Sequence, residues 1–172
     1  QYQGKSVAQV AAMQGKPVID ALLDLALAED LETRFAHSSS HGDDDATAAI
    51  LHSPYALIGE SDAGAHVQFD AGFGYCTTLL GEWVRDKQVM PLELAVHKLT
   101  GQVAQIYGLG DRGTLEPGKA ADLVLFDPAT VRALEPERTN DYPRGEPRMI
   151  QRAEGIHYTI VNGQVLYEPG RF

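Results

Sequence analysis

The sequence predicts an α/β chain, helical with buried strands over residues 1–108 and β-rich over residues 109–172. Three observations carry that reading. Apolar residues at helical spacing alternate with short apolar runs through the first part. Residues 55–59, which follow Pro54 and end on Gly59, read as a strand buried on both faces, as strands of a parallel sheet are. Residues 158–167 read as a hairpin around Asn162 and Gly163, the dipeptide preferred in a type I′ turn.

The elements follow in order. Ser6 and Gln9 form a capping box that opens a first helix. Pro17 suits the first turn of a second, whose apolar residues are Val18, Leu22, Leu23, Leu25 and Ala26. Residues 32–36 are expected to form a short strand that runs into a polar loop holding His37 and His41. Asp43, Asp44 and Asp45 supply the N-cap and first-turn acids of a helix reaching about Leu51, because carboxylates there accept free N–H groups and oppose the helix dipole. Pro54 ends it. Helices are expected over residues 77–87 and 91–99, the latter with Pro91 at its start and Gly101 just past its end, and a further helical turn from Val103 to Tyr107 closes at Gly108. Beyond Leu109, a turn at Glu116, Pro117 and Gly118 leads to a strand over residues 122–127. Residues 128–152 hold four prolines without periodicity and read as a long ordered excursion or a flexible loop.

Composition narrows the function classes. With 172 residues, 44% hydrophobic and 22% charged, the chain has the composition of a soluble globular domain. A net charge of -10 with scattered Lys and Arg offers no field for nucleic acid or anionic lipid. No apolar run approaches the roughly 20 residues of a spanning helix, so no membrane partner is expected. The single cysteine, Cys76, reads as a small buried apolar residue and fits a reducing compartment, which makes cytoplasmic localisation the expectation. The chain opens on Gln1 rather than Met, and is expected to be a portion of a longer product.

The chemistry collects around residues 61–66. Asp62 follows the expected strand by three residues, and in parallel α/β folds ligands gather in the crevice beyond the carboxyl ends of strands. Ala63, Gly64 and Ala65 are small enough to let a ligand come close, and His66 adds a second polar group. His37 and His41 follow the preceding expected strand, so one rim could gather imidazoles and a carboxylate, the material of metal sites and acid–base catalysis. Two readings stand side by side. An Asp after a strand and before a Gly is also an ordinary turn residue, and His37 and His41 are also ordinary solvated loop residues. His52, His97 and His157 occupy plain helix-end, helix and strand positions, and the three consecutive acids lack the interleaving of a calcium loop.

The combination of three segments changes the balance. Residues 57–66 ("LIGESDAGAH"), 99–128 ("LTGQVAQIYGLGDRGTLEPGKAADLVLFDP") and 158–170 ("YTIVNGQVLYEPG") resemble the C-terminal third of the amidohydrolase superfamily, closest to its D-aminoacylase-like branch of N-acyl-D-amino-acid deacylases. The resemblance implies the C-terminal part of a (β/α)8 TIM barrel, about strands 7 and 8 with their helices, followed by part of a small β-rich accessory domain. It implies a divalent metal, zinc above all, and a small-molecule amide substrate. It also implies that Asp62 both touches the metal and moves protons, taking one from the metal-activated water as general base and returning it to the leaving amine as general acid. His66, Gly64, His37 and Ser61 are then candidates for the substrate side.

The departures from the family pattern bear equally on expectation. The family's His-x-His pair, its bridging ligand and its other histidine ligands have no counterparts here, so Asp62 is the one assignable metal ligand and the others are expected upstream of Gln1. The isolated chain is therefore expected to be inactive, to belong against the remainder of the same enzyme, and to self-associate if it orders alone. Two alternatives belong to other classes. Gly59, Ser61 and Ala63 approach the G-x-S-x-G elbow of a serine hydrolase with Ser61 as nucleophile. The chain could also be a non-catalytic structural module.

Overall fold

The computed structural model describes residues 2–35, 43–59, 61 and 63–171. The described chain forms two compact units, Gln1–Gly42 and Asp43–Phe172.

The first unit is a helical pair. Helix α1 (Val7–Gln14) opens on the expected capping box, with the Ser6 hydroxyl accepting from the Gln9 N–H and the Gln9 side chain accepting from the Ser6 N–H. Gly15 closes it in the left-handed region at φ 64°, a conformation glycine adopts without steric cost. Pro17 is the N-cap of α2 (Val18–Ala28), one position before the first turn where it was expected. The two helices bury Val10, Ala11 and Ala21. One stripe of α2, made of Ile19, Leu23 and Leu27 at i, i+4 and i+8, stays exposed at 59%, 53% and 67%.

The second unit starts with α3 (Asp44–His52), capped by the Asp43 carboxylate on the Ala46 N–H at 2.9 Å, as its acids predict. A one-turn helix α4 (Ala63–His66) follows, then a 3-10 turn (Gly72–Gly74), α5 (Tyr75–Thr78) and a wide π-helical segment (Leu79–Asp86) where a plain helix was expected. Helices α6 (Leu92–Leu99) and α7 (Gly101–Tyr107) are joined at Thr100, so Gly101 begins a helix instead of trailing one. Gly108 ends α7 at φ 70°.

All the described strands are antiparallel and lie beyond Ala121. A three-stranded sheet has the order β1 (Leu123–Phe126), β6 (Ile156–Val161), β7 (Gln164–Tyr167). Its β6–β7 turn places Asn162 at φ 49° and Gly163 at φ 78°, the positive pair that a type I′ turn requires. Between β1 and β6 the proline-rich stretch is ordered. It forms an arm of two nested ladders, β2 (Arg132–Ala133) with β5 (Ala153–Glu154) and β3 (Glu137–Thr139) with β4 (Arg148–Ile150).

Mixed helix and strand content agrees with the predicted α/β class. The two strands expected at residues 32–36 and 55–59 are not formed among the described residues: residues 32–35 and 55–59 lie outside any ladder. The reason is physical. A strand is stabilised by hydrogen bonds to its neighbours, and an apolar segment without a paired neighbour has no ladder to join.

The core of the second unit gathers Leu79, Leu80, Met90, Ala95 and Val131, with Leu51, Ile58, Trp83, Phe126 and Ile156 packed against it. Gly81 lies where a Cβ would stand 2.5 Å from the Val131 carbonyl oxygen, so the helix can approach the arm only without a side chain there. Arg85 donates from Nη1 to the same carbonyl at 2.7 Å.

The long motif around Gly113 is architectural. Arg112 donates to Asp122 Oδ2 at 2.7 Å, and Asp122 Oδ1 accepts from the Asn162 N–H at 2.8 Å, so one carboxylate ties the post-helix turn to the hairpin. Gly113, at φ 87°, sits where a Cβ would overlap that of Ala104. Glu116, Pro117, Gly118 and Lys119 make the expected turn, closed by a Lys119 N–H to Glu116 carbonyl bond at 3.2 Å with Gly118 at φ 90°.

Candidate functional site

Of the residues that the sequence singles out, Asp62, His37 and His41 lie outside the described residues. Ser61, Gly64 and His66 are described. Ser61 is half-buried, and Gly64 and His66 are exposed.

The turn that carries them is held from three sides. Immediately after it, the N–H groups of Phe69 and Asp70 both donate to the His66 carbonyl, at 2.9 and 2.8 Å, and close the one-turn helix. The His66 ring packs on Phe69 with centroids 5.1 Å apart and planes tilted by 30°. Gly72 passes the Ser61 backbone so closely that a Cβ on it would lie 2.5 Å from the Ser61 carbonyl oxygen. The Met149 N–H in β4 donates to the Val67 carbonyl at 2.6 Å, and Gly74 donates its N–H to Gln151 Oε1 at 2.8 Å. The nested arm thus braces the segment that follows the SDAGAH turn. Phe73 and Gln151, with Asp141, Arg148, Ile150 and Arg152, line an open cavity of about 390 Å³.

A second set of bonds holds the approach to the turn. Lys98, only 2% exposed, donates from Nζ to the carbonyls of Ser53 at 2.8 Å and Ala56 at 3.2 Å. Gln102, in the first turn of α7, donates from Nε2 to the Pro54 carbonyl at 3.1 Å. Neither residue was singled out from the sequence, because a lysine in a helix is ordinarily solvated. The available signal was its place: Lys98 lies three residues after the fully buried Ala95, on the inward stripe of α6.

An ion pair fixes the arm. Arg148 donates to both Asp141 oxygens, at 2.5 Å from Nε and 2.8 Å from Nη2, and this pairing holds the Asp141 carboxyl below its ordinary range. Cys76 is half-buried, not fully buried as the sequence suggested, and burial pushes its thiol up, away from nucleophilic character.

Among the described residues no three His, Cys, Asp or Glu side chains come together to hold a metal ion, so those side chains alone do not fit a divalent-metal site. No described helix is long and apolar enough to cross a membrane. The nucleophile-elbow alternative gains no support, since no described strand leads into Ser61 and the helix after it is a single turn.

A helical first part and an antiparallel β-rich tail define an α/β chain, with Ser61 and His66 on a turn of small residues. The chain matches the Amidohydrolase family over residues 2–167 and belongs to that family. It is similar to the D-aminoacylase of Alcaligenes xylosoxydans xylosoxydans, 32% identical over 176 residues that cover 100% of this chain and 32% of that protein. The N-acyl-D-glutamate deacylase of the same organism is 32% identical over 95% of this chain and 30% of its own length. Among solved structures, an N-acyl-D-glutamate deacylase from Bordetella Bronchiseptica, complexed with zinc and a phosphonate inhibitor, matches with a TM-score of 0.59 at 30% identity, covering 97% of this chain and 32% of that one. The chain therefore spans about a third of the length of these relatives.

Proposed function

We propose that the chain is the C-terminal part of a metal-dependent hydrolase of non-peptide C–N bonds that deacylates N-acyl-D-amino acids or closely related amides, with Asp62 as its proton-handling carboxylate. The observation that supports it most is the family match over residues 2–167, which includes the SDAGAH turn. Two relatives, named D-aminoacylase and N-acyl-D-glutamate deacylase, support the substrate class.

In this reading residues 1–108 close a (β/α)8 barrel and residues 109–172 belong to its accessory β domain. Residues 32–35 and 56–59 become strands once neighbouring barrel strands pair with them. The exposed Ile19, Leu23 and Leu27 stripe of α2 is covered by the remainder of the enzyme, since an apolar stripe of that kind marks a buried contact. A divalent metal, zinc in the Bordetella deacylase, is the expected cofactor. No three described side chains gather as a metal site, so ligands beyond Asp62 are assigned to the remainder of the enzyme. Asp62 accepts a proton from the attacking water and delivers it to the leaving amine. His66, Gly64, His37 and Ser61 are the candidates for the substrate side. The chain alone is inactive.

The test is Asp62→Asn in the intact enzyme, assayed on N-acyl-D-amino acids. Turnover is expected to vanish while the circular dichroism and melting curve stay those of the parent; an active Asp62→Asn enzyme rejects the role.

A further inference from the structure

Lys98 is a buried cation that the proposed chemistry does not use. Its ammonium is bonded to the carbonyls of Ser53 and Ala56, and Gln102 at the start of α7 takes the Pro54 carbonyl between them. Ser53 is the C-cap of α3, where the helix leaves unpaired carbonyls and the negative end of its dipole, so a cation there satisfies both. Burying a lysine is costly unless its charge is met, and a solvent-exposed turn would need no such partner. The three carbonyls open the segment that leads toward Asp62, which lies six residues beyond Ala56 in the sequence. Ile58, inside that segment, packs on the core and so fixes one of its faces.

We propose that Lys98 is a positioning residue: by clamping the Ser53 and Ala56 carbonyls it anchors the approach to residues 57–61 and thereby sets the place of Asp62. This rests on the reading of Asp62 as the proton-handling carboxylate. Gln102 supports the same clamp through Pro54.

The experiment compares the intact wild-type enzyme with Lys98→Met and Lys98→Arg by two independent readouts. The first is amide hydrogen exchange of residues 57–61 against Leu79 and Leu80 in the core. The second is kcat and KM on an N-acyl-D-amino acid. Lys98→Met is expected to speed exchange over residues 57–61 by about tenfold or more while the core stays protected. It should lower kcat by about 10- to 100-fold with KM nearly unchanged, the mark of a displaced reacting group. Lys98→Arg, which keeps the charge and the donors, should recover most of both. Unchanged exchange over residues 57–61 overturns the clamp, as does loosening of the whole unit, which would mean general stability. Faster exchange with full kcat overturns the positioning of Asp62. If the wild-type enzyme does not cleave acylated D-amino acids, the Asp62 reading fails, and exchange alone then decides for or against the Lys98 clamp.

Discussion

Gln151 and Gly74 meet at 2.8 Å, the glutamine Oε1 accepting the glycine N–H, while the other end of the same amide donates from Nε2 to the Leu134 carbonyl at 3.0 Å. One side chain from the nested arm thereby joins the arm's two sides to the segment beyond the SDAGAH turn. A Cβ on Gly74 would stand 2.5 Å from that Oε1 and 2.8 Å from the Ala133 Cβ. Gly74→Ala should therefore cost about 1–3 kcal/mol, the usual effect of forcing a methyl into a packed contact. Denaturant unfolding measures it, and an unchanged midpoint would show that the arm moves aside freely.

Gly72 makes the corresponding contact with the turn itself, since its added Cβ would press on the Ser61 carbonyl oxygen at 2.5 Å, a backbone atom that can yield only by moving the chain. Gly72→Ala in the intact enzyme should lower turnover by about 10- to 100-fold, because the residue after Ser61 is Asp62. Gly110→Ala serves as the comparison, having nothing within 4 Å of its added Cβ. Equal activities for the two variants would contradict the prediction.

Gly163 separates backbone conformation from crowding. It holds φ 78° with open space around its Cα, so Gly163→Ala changes only the conformational energy. The expected loss is about 1–2 kcal/mol, the cost of a left-handed L-residue. A shift in thermal midpoint without loss of the β6–β7 ladder would agree; no shift would mean the turn relaxes to another type.

The Asp141 pair gives a pH dependence with a definite sign. The Arg148 hydrogen bonds hold the folded carboxyl below its usual 3.8, so the pair's stabilisation is fully present above that value and is lost as pH falls through the lower folded one. Wild type and Asp141→Asn should differ in stability from neutral pH down to about pH 4 and converge below it. Urea titrations from pH 7 to pH 2 read the difference, and a gap that persists at pH 2 or closes toward alkaline pH would rule the pairing out as its source.

Local chemistry was legible from residue order alone. The Ser6 and Gln9 capping box, the Asp43 cap of α3, the Gly108 stop and the Asn162–Gly163 turn are each settled within a few residues, by which backbone groups a side chain can reach and by which residues tolerate positive φ. The resemblance of residues 57–66 and 99–128 to amidohydrolases was legible for the same reason, being carried by short contiguous strings.

The rest depended on partners distant in the chain. The stretch of residues 128–152 has no periodicity to announce two ladders, since strands of two or three residues are set by pairing across the arm. The expected strand at residues 55–59 has the right apolar run and still forms no ladder, because pairing requires a neighbour and composition cannot supply one. Lys98 shows the same division at the level of one side chain. Its sequence position marks a helical lysine, and only the packing of α6 against the Ser53 and Ala56 carbonyls makes it a buried clamp. What residue order determined about this protein is its family, its caps and its turns; what tertiary structure decided is which backbone groups those elements find to bond, because hydrogen bonds and burial belong to pairs of residues and not to single ones.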